Sequence, residues 1–190
     1  LIGALVMAHG DDFGLRLPPA LAPSEVVVLM IKDEPDVRGA ADALVAELRA
    51  GGHRVRLDDR IETSFGRRSV GWELKGVPVR VEIGPRDLAE GNVTVVTRHT
   101  REKETVPAAA AAATVLEVLV RVGPELAAEA EASRKDRTVD AASLDEAIEA
   151  GATGFARIRL AALGDDGEDR LGQHALSIRC LQRPDGSLAQ

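Results

Sequence analysis

The chain has 190 residues and a mass of 20.1 kDa, with 45% apolar and 29% charged side chains, so it can bury a core and is not a disordered tail. A net charge of −7 argues against indiscriminate coating of nucleic acid. The one cysteine, Cys180, excludes an internal disulfide framework and a Cys-rich zinc site.

No apolar run approaches the roughly 20 residues that cross a bilayer, so no membrane partner is expected. Residues 1–7 are apolar but lack a basic region and a cleavage site, and the chain has no initiator Met. This start reads as a cut into a larger fold, in a reducing cytoplasm. Residues 54–104 carry 11 Lys and Arg against 9 Asp and Glu, whereas the rest of the chain is acidic. A locally basic module of this kind can bind RNA at a selected face, or it can be an ordinary fluctuation of charge.

In chain order, residues 2–7 predict a short strand, followed by a polar turn at His9-Gly10-Asp11-Asp12 and a Pro-rich linker. Residues 25–31 are a β-branched run, the pattern of a strand buried on both faces. Over 36–50, Val37, Ala41, Leu44, Val45 and Leu48 recur at helical spacing, and Gly51-Gly52 ends that helix. Residues 54–58 alternate as a second strand. Ser64 is placed as the N-cap of a helix through Leu74, with Gly76 as its stop.

Val77, Val79, Val81 and Ile83 share one face of the next strand, and Arg80 and Glu82 share the other. A turn at Glu90-Gly91-Asn92 leads to a strand over 93–98. The order β-α-β-α-β-β-α predicts an α/β domain whose mixed sheet is flanked by helices, parallel where helices intervene and antiparallel in its last pair. The alanines at 108–113 begin a connecting helix, which Gly123-Pro124 is expected to break. Beyond residue 137 a small, truncated α+β unit is expected. It has a capping box at Ser143 and Glu146, a helix to Gly151, and strands over 155–160 and 176–181.

Two clusters could carry chemistry. His9, Asp11 and Asp12 could hold a divalent metal or act as an acid/base group, or simply form a turn beside a larger site. The stretch from Gly71 to Leu88 puts Trp72, Glu73, Lys75, Arg80, Glu82, Arg86 and Asp87 on a helix end, a strand face and the following turn. Arg offers a donor fork for guanine O6 and N7, and a carboxylate accepts from guanine N1–H and N2–H, so such pairs suit the reading of unpaired guanines. The same spacing equally fits a solvated strand face with mutual ion pairs. Trp72 is expected in the core, Cys180 as a buried thiol, and His53, His99 and His174 as surface or capping residues.

The residues Ile2-Gly3-Ala4, Met7-Ala8-His9-Gly10-Asp11-Asp12, Gly14-Leu15, Leu17-Pro18-Pro19 and Leu21-Ala22-Pro23 resemble the end of motif 3 in prolyl-tRNA synthetases of the archaeal/eukaryotic-like type. Trp72 through Pro78, Arg80-Val81-Glu82, Gly84 through Leu88, Asp58-Asp59-Arg60 and Lys103-Glu104 are similar to the anticodon-binding domain of that family. The resemblance spans essentially the whole chain. It implies the end of a class II catalytic domain and linker over 1–23, an anticodon-binding domain over 24–107, connecting helices over 108–137 and a truncated C-terminal domain over 138–190. It further implies a ligase that activates proline with ATP and Mg2+ and transfers it to tRNA(Pro), dimerising through its catalytic domain.

By family correspondence Glu73, Arg80, Arg86 and Asp87 read the two anticodon guanines shared by proline tRNAs, with Arg86 standing where many members have Lys. His9, Asp11 and Asp12 would support the catalytic site. The motif 3 arginine would precede Leu1, and motifs 1 and 2 are absent, so this chain alone is not expected to be catalytically active. Many members hold zinc through four cysteines of the C-terminal domain. Here the first pair is replaced around Leu163 and Glu168, so no zinc is expected. Two rivals stay open: a stand-alone RNA-binding or regulatory module of the same fold, and a flavodoxin-like domain, which the acidic Lys32-Asp33-Glu34-Pro35 loop fits poorly.

Overall fold

The computed structural model describes residues 2–183 and 187. Positions 1, 184–186 and 188–190, which include most of the expected polar tail, lie outside the described residues. The chain divides into two units, Leu1–Ala127 and Ala128–Gln190.

In the first unit a helix, α1 (Ile2–His9), precedes a small hairpin of β1 (Gly10–Asp11) and β2 (Gly14–Leu15). The strand expected over 2–7 is therefore corrected to a helix. A short apolar run does not by itself distinguish the two states. No described strand pairs with this segment, so its backbone groups bond within a helix instead, and no residue of it is buried.

The strand β3 (Val26–Met30), wholly buried, occupies an interior position of a five-stranded sheet. Helix α2 (Pro35–Ala50) follows, with Pro35 in its first turn and Val37, Ala41, Leu44, Val45 and Leu48 as its buried stripe. Next come β4 (Val55–Asp58), α3 (Phe65–Leu74), β5 (Val79–Ile83), the short α4 (Pro85–Ala89), β6 (Asn92–Thr97) and β7 (Lys103–Pro107). The sheet order is β4-β3-β5-β6-β7. β3 pairs parallel with β4 and β5, and the β5–β6 and β6–β7 pairs are antiparallel.

The expected mixed sheet is observed, with a fifth strand and one short helix added. β7 carries Lys103, Glu104 and Thr105 before its one buried residue, Val106, because it lies at the edge of the sheet. One face of the sheet presents Val26, Val28, Met30, Val55, Val79, Val81, Ile83, Val93, Val95 and Val106 to a core closed by α2 and by α5 (Ala111–Asp136). Residues 108–110 form a 3-10 turn leading into α5. Pro124 does not break α5 as expected. It removes a single i→i−4 bond, and Val120, which loses that partner, is 76% exposed, so water can take the donor's place.

The second unit pairs β8 (Thr138–Ala141) in parallel with β9 (Phe155–Ile158) across α6 (Leu144–Gly151). Short helices α7 (Leu160–Leu163) and α8 (Gly167–Gln173) complete a small core around Leu144, Leu163 and Leu171. Ser143 Oγ accepts from Glu146 N (3.3 Å), while Glu146 reaches back one residue further than expected, to the N–H of Ala142 (2.8 Å). No strand forms over 176–181. Ile178 and Leu181 are exposed, as is Cys180, which corrects its expected burial.

Candidate nucleic-acid interface

The opposite face of the sheet is polar yet buried. Asp58, Arg80 and Glu82 stand on it beside Val27 and Leu29, under helix α3. Unpaired charges are costly there, and each has partners. The Asp58 carboxylate accepts from Arg60 Nη2 (2.6 Å) and Nε (3.1 Å) and from Trp72 Nε1 (2.6 Å). Arg68, 2% exposed, donates to the carbonyls of Met30 (2.9 Å), Asp58 (3.2 Å) and Thr63 (3.0 Å).

Burial alone would push Asp58 up, but the bonds from Arg60 and Trp72 outweigh it and hold the carboxyl at about 2. A carboxyl lowered on folding stabilises the fold above its ordinary value of 3.8, and that contribution is lost as pH falls through about 2. Acid titration between pH 4 and 2 should therefore change the emission of Trp72, the sole tryptophan, together with the loss of far-UV circular dichroism. Asp58→Asn should remove that acid step in Trp72 emission. A step unchanged in the variant would show that another carboxylate governs it.

Arg80, 6% exposed, links α3 to the sheet. Its Nε donates to Glu82 Oε1 (2.9 Å) and its Nη1 to Glu73 Oε1 (3.0 Å), and Lys103 Nζ approaches Glu82 Oε2 at 3.4 Å. Among the described residues no bond engages Arg80 Nη2 or Glu73 Oε2. Both residues line an open depression of about 70 Å³, together with Trp72, Arg98, Arg101 and Lys103. Trp72 is half-buried, with Lys75 Nζ 4.4 Å from its ring centroid, and so belongs partly to the core and partly to this rim.

The β1–β2 hairpin is fastened to the same place. Asp11 accepts both guanidinium edges of Arg98 (2.6 and 3.0 Å), and Arg98 Nε donates to the carbonyl of Glu73 (3.4 Å). The bonds from Arg98 hold the Asp11 carboxyl below its ordinary value. Gly14, at φ +131, lies against α3, and a Cβ there would sit 2.5 Å from Leu74 Cα and 2.6 Å from the Glu73 carbonyl, so only glycine fits.

Of the residues expected to read guanines, Glu73 and Arg80 are brought together. Arg86 and Asp87 are not. They lie on α4, past the far end of β5, with no bond to that pair among the described residues. Asp11 is engaged by Arg98, whereas Asp12 is exposed and the His9 carbonyl accepts from Arg16 N (2.7 Å). Among the described residues no group of three or more His, Cys, Asp or Glu side chains could hold a metal ion. His53 approaches Glu25 (3.4 Å) and His99 approaches Glu125 (2.7 Å), while His174 caps α8. Arg98 and Arg101 escaped notice in the sequence, because the partner of Arg98 is 87 positions away and no local pattern marks it.

The anticodon-binding domain family matches residues 25–118. Over 99% of its length the chain is 52% identical to a proline–tRNA ligase of Frankia alni, and over 99% it is 49% identical to proline–tRNA ligase 2 of Streptomyces avermitilis. Residues 25–118 are an anticodon-binding domain, and the chain as a whole is similar to proline–tRNA ligases. It spans about 40% of the length of these ligase relatives. Its fold is also that of prolyl-tRNA synthetase from Cryptosporidium parvum. The structure of that enzyme with L-proline and AMP superposes with a TM-score of 0.85 at 24% identity, covering 100% of this chain and 41% of that one. Its complex with halofuginone and AMPPNP gives 0.84, covering 95% and 38%.

Proposed function

We propose that this chain reads the anticodon of tRNA(Pro) for a proline–tRNA ligase. The observation that carries this reading is the Arg80–Glu73 pair, both lining the depression of an anticodon-binding domain and each with one polar atom unengaged among the described residues. An unpaired guanine offers O6 and N7 to Arg80 Nη2 and gives its N1–H and N2–H to Glu73 Oε2. Arg86 and Asp87, on α4 past the far end of β5, supply a second donor and a second acceptor for the other guanine. Lys103, whose side chain is largely exposed, lines the same depression with positive charge suited to the phosphates.

In the full-length enzyme, ATP with Mg2+ would activate proline in a catalytic domain that dimerises, in the cytoplasm. Residues 1–23 would be the end of that domain, with His9, Asp11 and Asp12 at its edge, and 24–107, 108–137 and 138–190 the anticodon-binding, connecting and C-terminal parts. No step of the ligase chemistry is assigned to this chain's own residues, and no zinc is assigned to it, since its single cysteine cannot supply a thiolate set. Stoichiometric zinc in the purified chain would overturn that assignment.

The decisive experiment compares binding of a proline tRNA transcript with one in which both anticodon guanines are replaced, at two salt concentrations. Loss of the two base contacts should weaken binding by roughly 2–6 kcal/mol. Equal binding to both, falling steeply with salt, would reduce the interaction to phosphate contacts and overturn the reading.

A further inference from the structure

Phe13, at the tip of the β1–β2 hairpin, is 46% exposed. The guanidinium of Arg101 lies over its ring, 3.6 Å from the centroid. Arg101 sits in the β6–β7 turn with φ +62, a left-handed conformation rare for a residue with a side chain, and it lines the depression beside Glu73 and Arg80. No carboxylate pairs with it among the described residues.

The hairpin that carries Phe13 is fastened in place. Phe13 N donates to Asp11 Oδ1 (2.9 Å), Asp11 is clamped by Arg98, and Gly14 abuts the backbone of α3. A guanidinium over a partly exposed ring, beside a base-reading pair, has the form of a stacking surface. Unpaired bases stack on aromatic rings and on arginine planes regardless of their identity.

We propose that Phe13 and Arg101 form a platform on which one unpaired RNA base stacks, immediately beside the guanine held by Glu73 and Arg80. The base is the neighbour of the guanine pair, on one side or the other. The platform adds affinity without reading sequence, and it rests on the anticodon reading above.

The test uses the 190-residue chain and a proline anticodon stem-loop, intact or with an abasic site on either side of the guanine pair. Phe13→Ala should weaken binding of the intact RNA by about 5- to 150-fold. The ratio of affinities for intact and guanine-replaced RNA should stay the same, and so should the salt slope. In the unaltered chain one abasic site should produce a comparable loss, and in Phe13→Ala that site should cost nothing further.

Phe13→Tyr, which keeps the ring, should restore binding, and this separates stacking from a distorted hairpin. Arg101→Lys should weaken binding although it keeps the charge, which a phosphate contact alone would not do. Undiminished binding by Phe13→Ala, or abasic losses that are the same with and without Phe13 on both sides, would overturn the platform while leaving the guanine reading intact. If the unaltered chain ignores the guanines, the anticodon reading fails and the platform falls with it.

Discussion

Replacing Arg68 with methionine is expected to lower folding stability by about 3–5 kcal/mol, measured as a shift of the urea unfolding midpoint. Methionine fills much of the volume of the arginine stem, so the loss is one of polar partners and not of packing. Three carbonyls, on Met30, Asp58 and Thr63, lose their donor, and the bonds to the first two are buried. Asp58 also loses its nearest buried positive charge, at 3.5 Å, while its own side chain is fully buried. Arg60 provides the control. It makes shorter bonds to the same carboxylate, but its side chain is 56% exposed. Arg60→Met should change stability by no more than about 1 kcal/mol. Equal effects from the two variants would mean that contact distance, not burial, sets the energetics of this face.

The apolar skeleton of the first unit was legible because it obeys simple periods. The five buried positions of α2 and the valines of β3 and β5 are marked by spacing alone, and Gly51-Gly52 ends α2 where expected. The edge strand β7 was missed because it alternates weakly and exposes most of its residues. The first residues misled because apolar runs of that length suit either helix or strand, and pairing partners decide between them.

The site was legible only in part, for a related reason. Glu73 and Arg80 lie seven positions apart, close enough for a helix end and the next strand to bring them together. The contacts of Arg98 with Asp11 and of Arg101 with Phe13 join residues nearly ninety positions apart. No local pattern encodes such a meeting. The face of Arg80 and Glu82 also fitted solvent as well as chemistry. Only the cover of α3 shows that it is buried, and so that its charges are positioned and not merely hydrated.

Arg80→Lys is expected to lower discrimination between intact and guanine-replaced anticodons by about 5- to 150-fold, from the loss of one good base contact of roughly 1–3 kcal/mol. The fold should survive the change, because a lysine keeps one positive charge between Glu73 and Glu82 and neither carboxylate is left alone in the buried face. What the lysine lacks is the planar fork. Arg80 uses Nε on Glu82 and Nη1 on Glu73 and keeps Nη2 unengaged among the described residues. An ammonium held between the same carboxylates has no rigid third edge to offer a base. Affinity for the guanine-replaced RNA, which depends on phosphates, should therefore stay nearly constant, as should the salt slope. A variant that weakens binding to both RNAs alike would show that Arg80 acts as a general cation. One that keeps full discrimination would show that its role is to hold the two glutamates, with the guanine read by other groups.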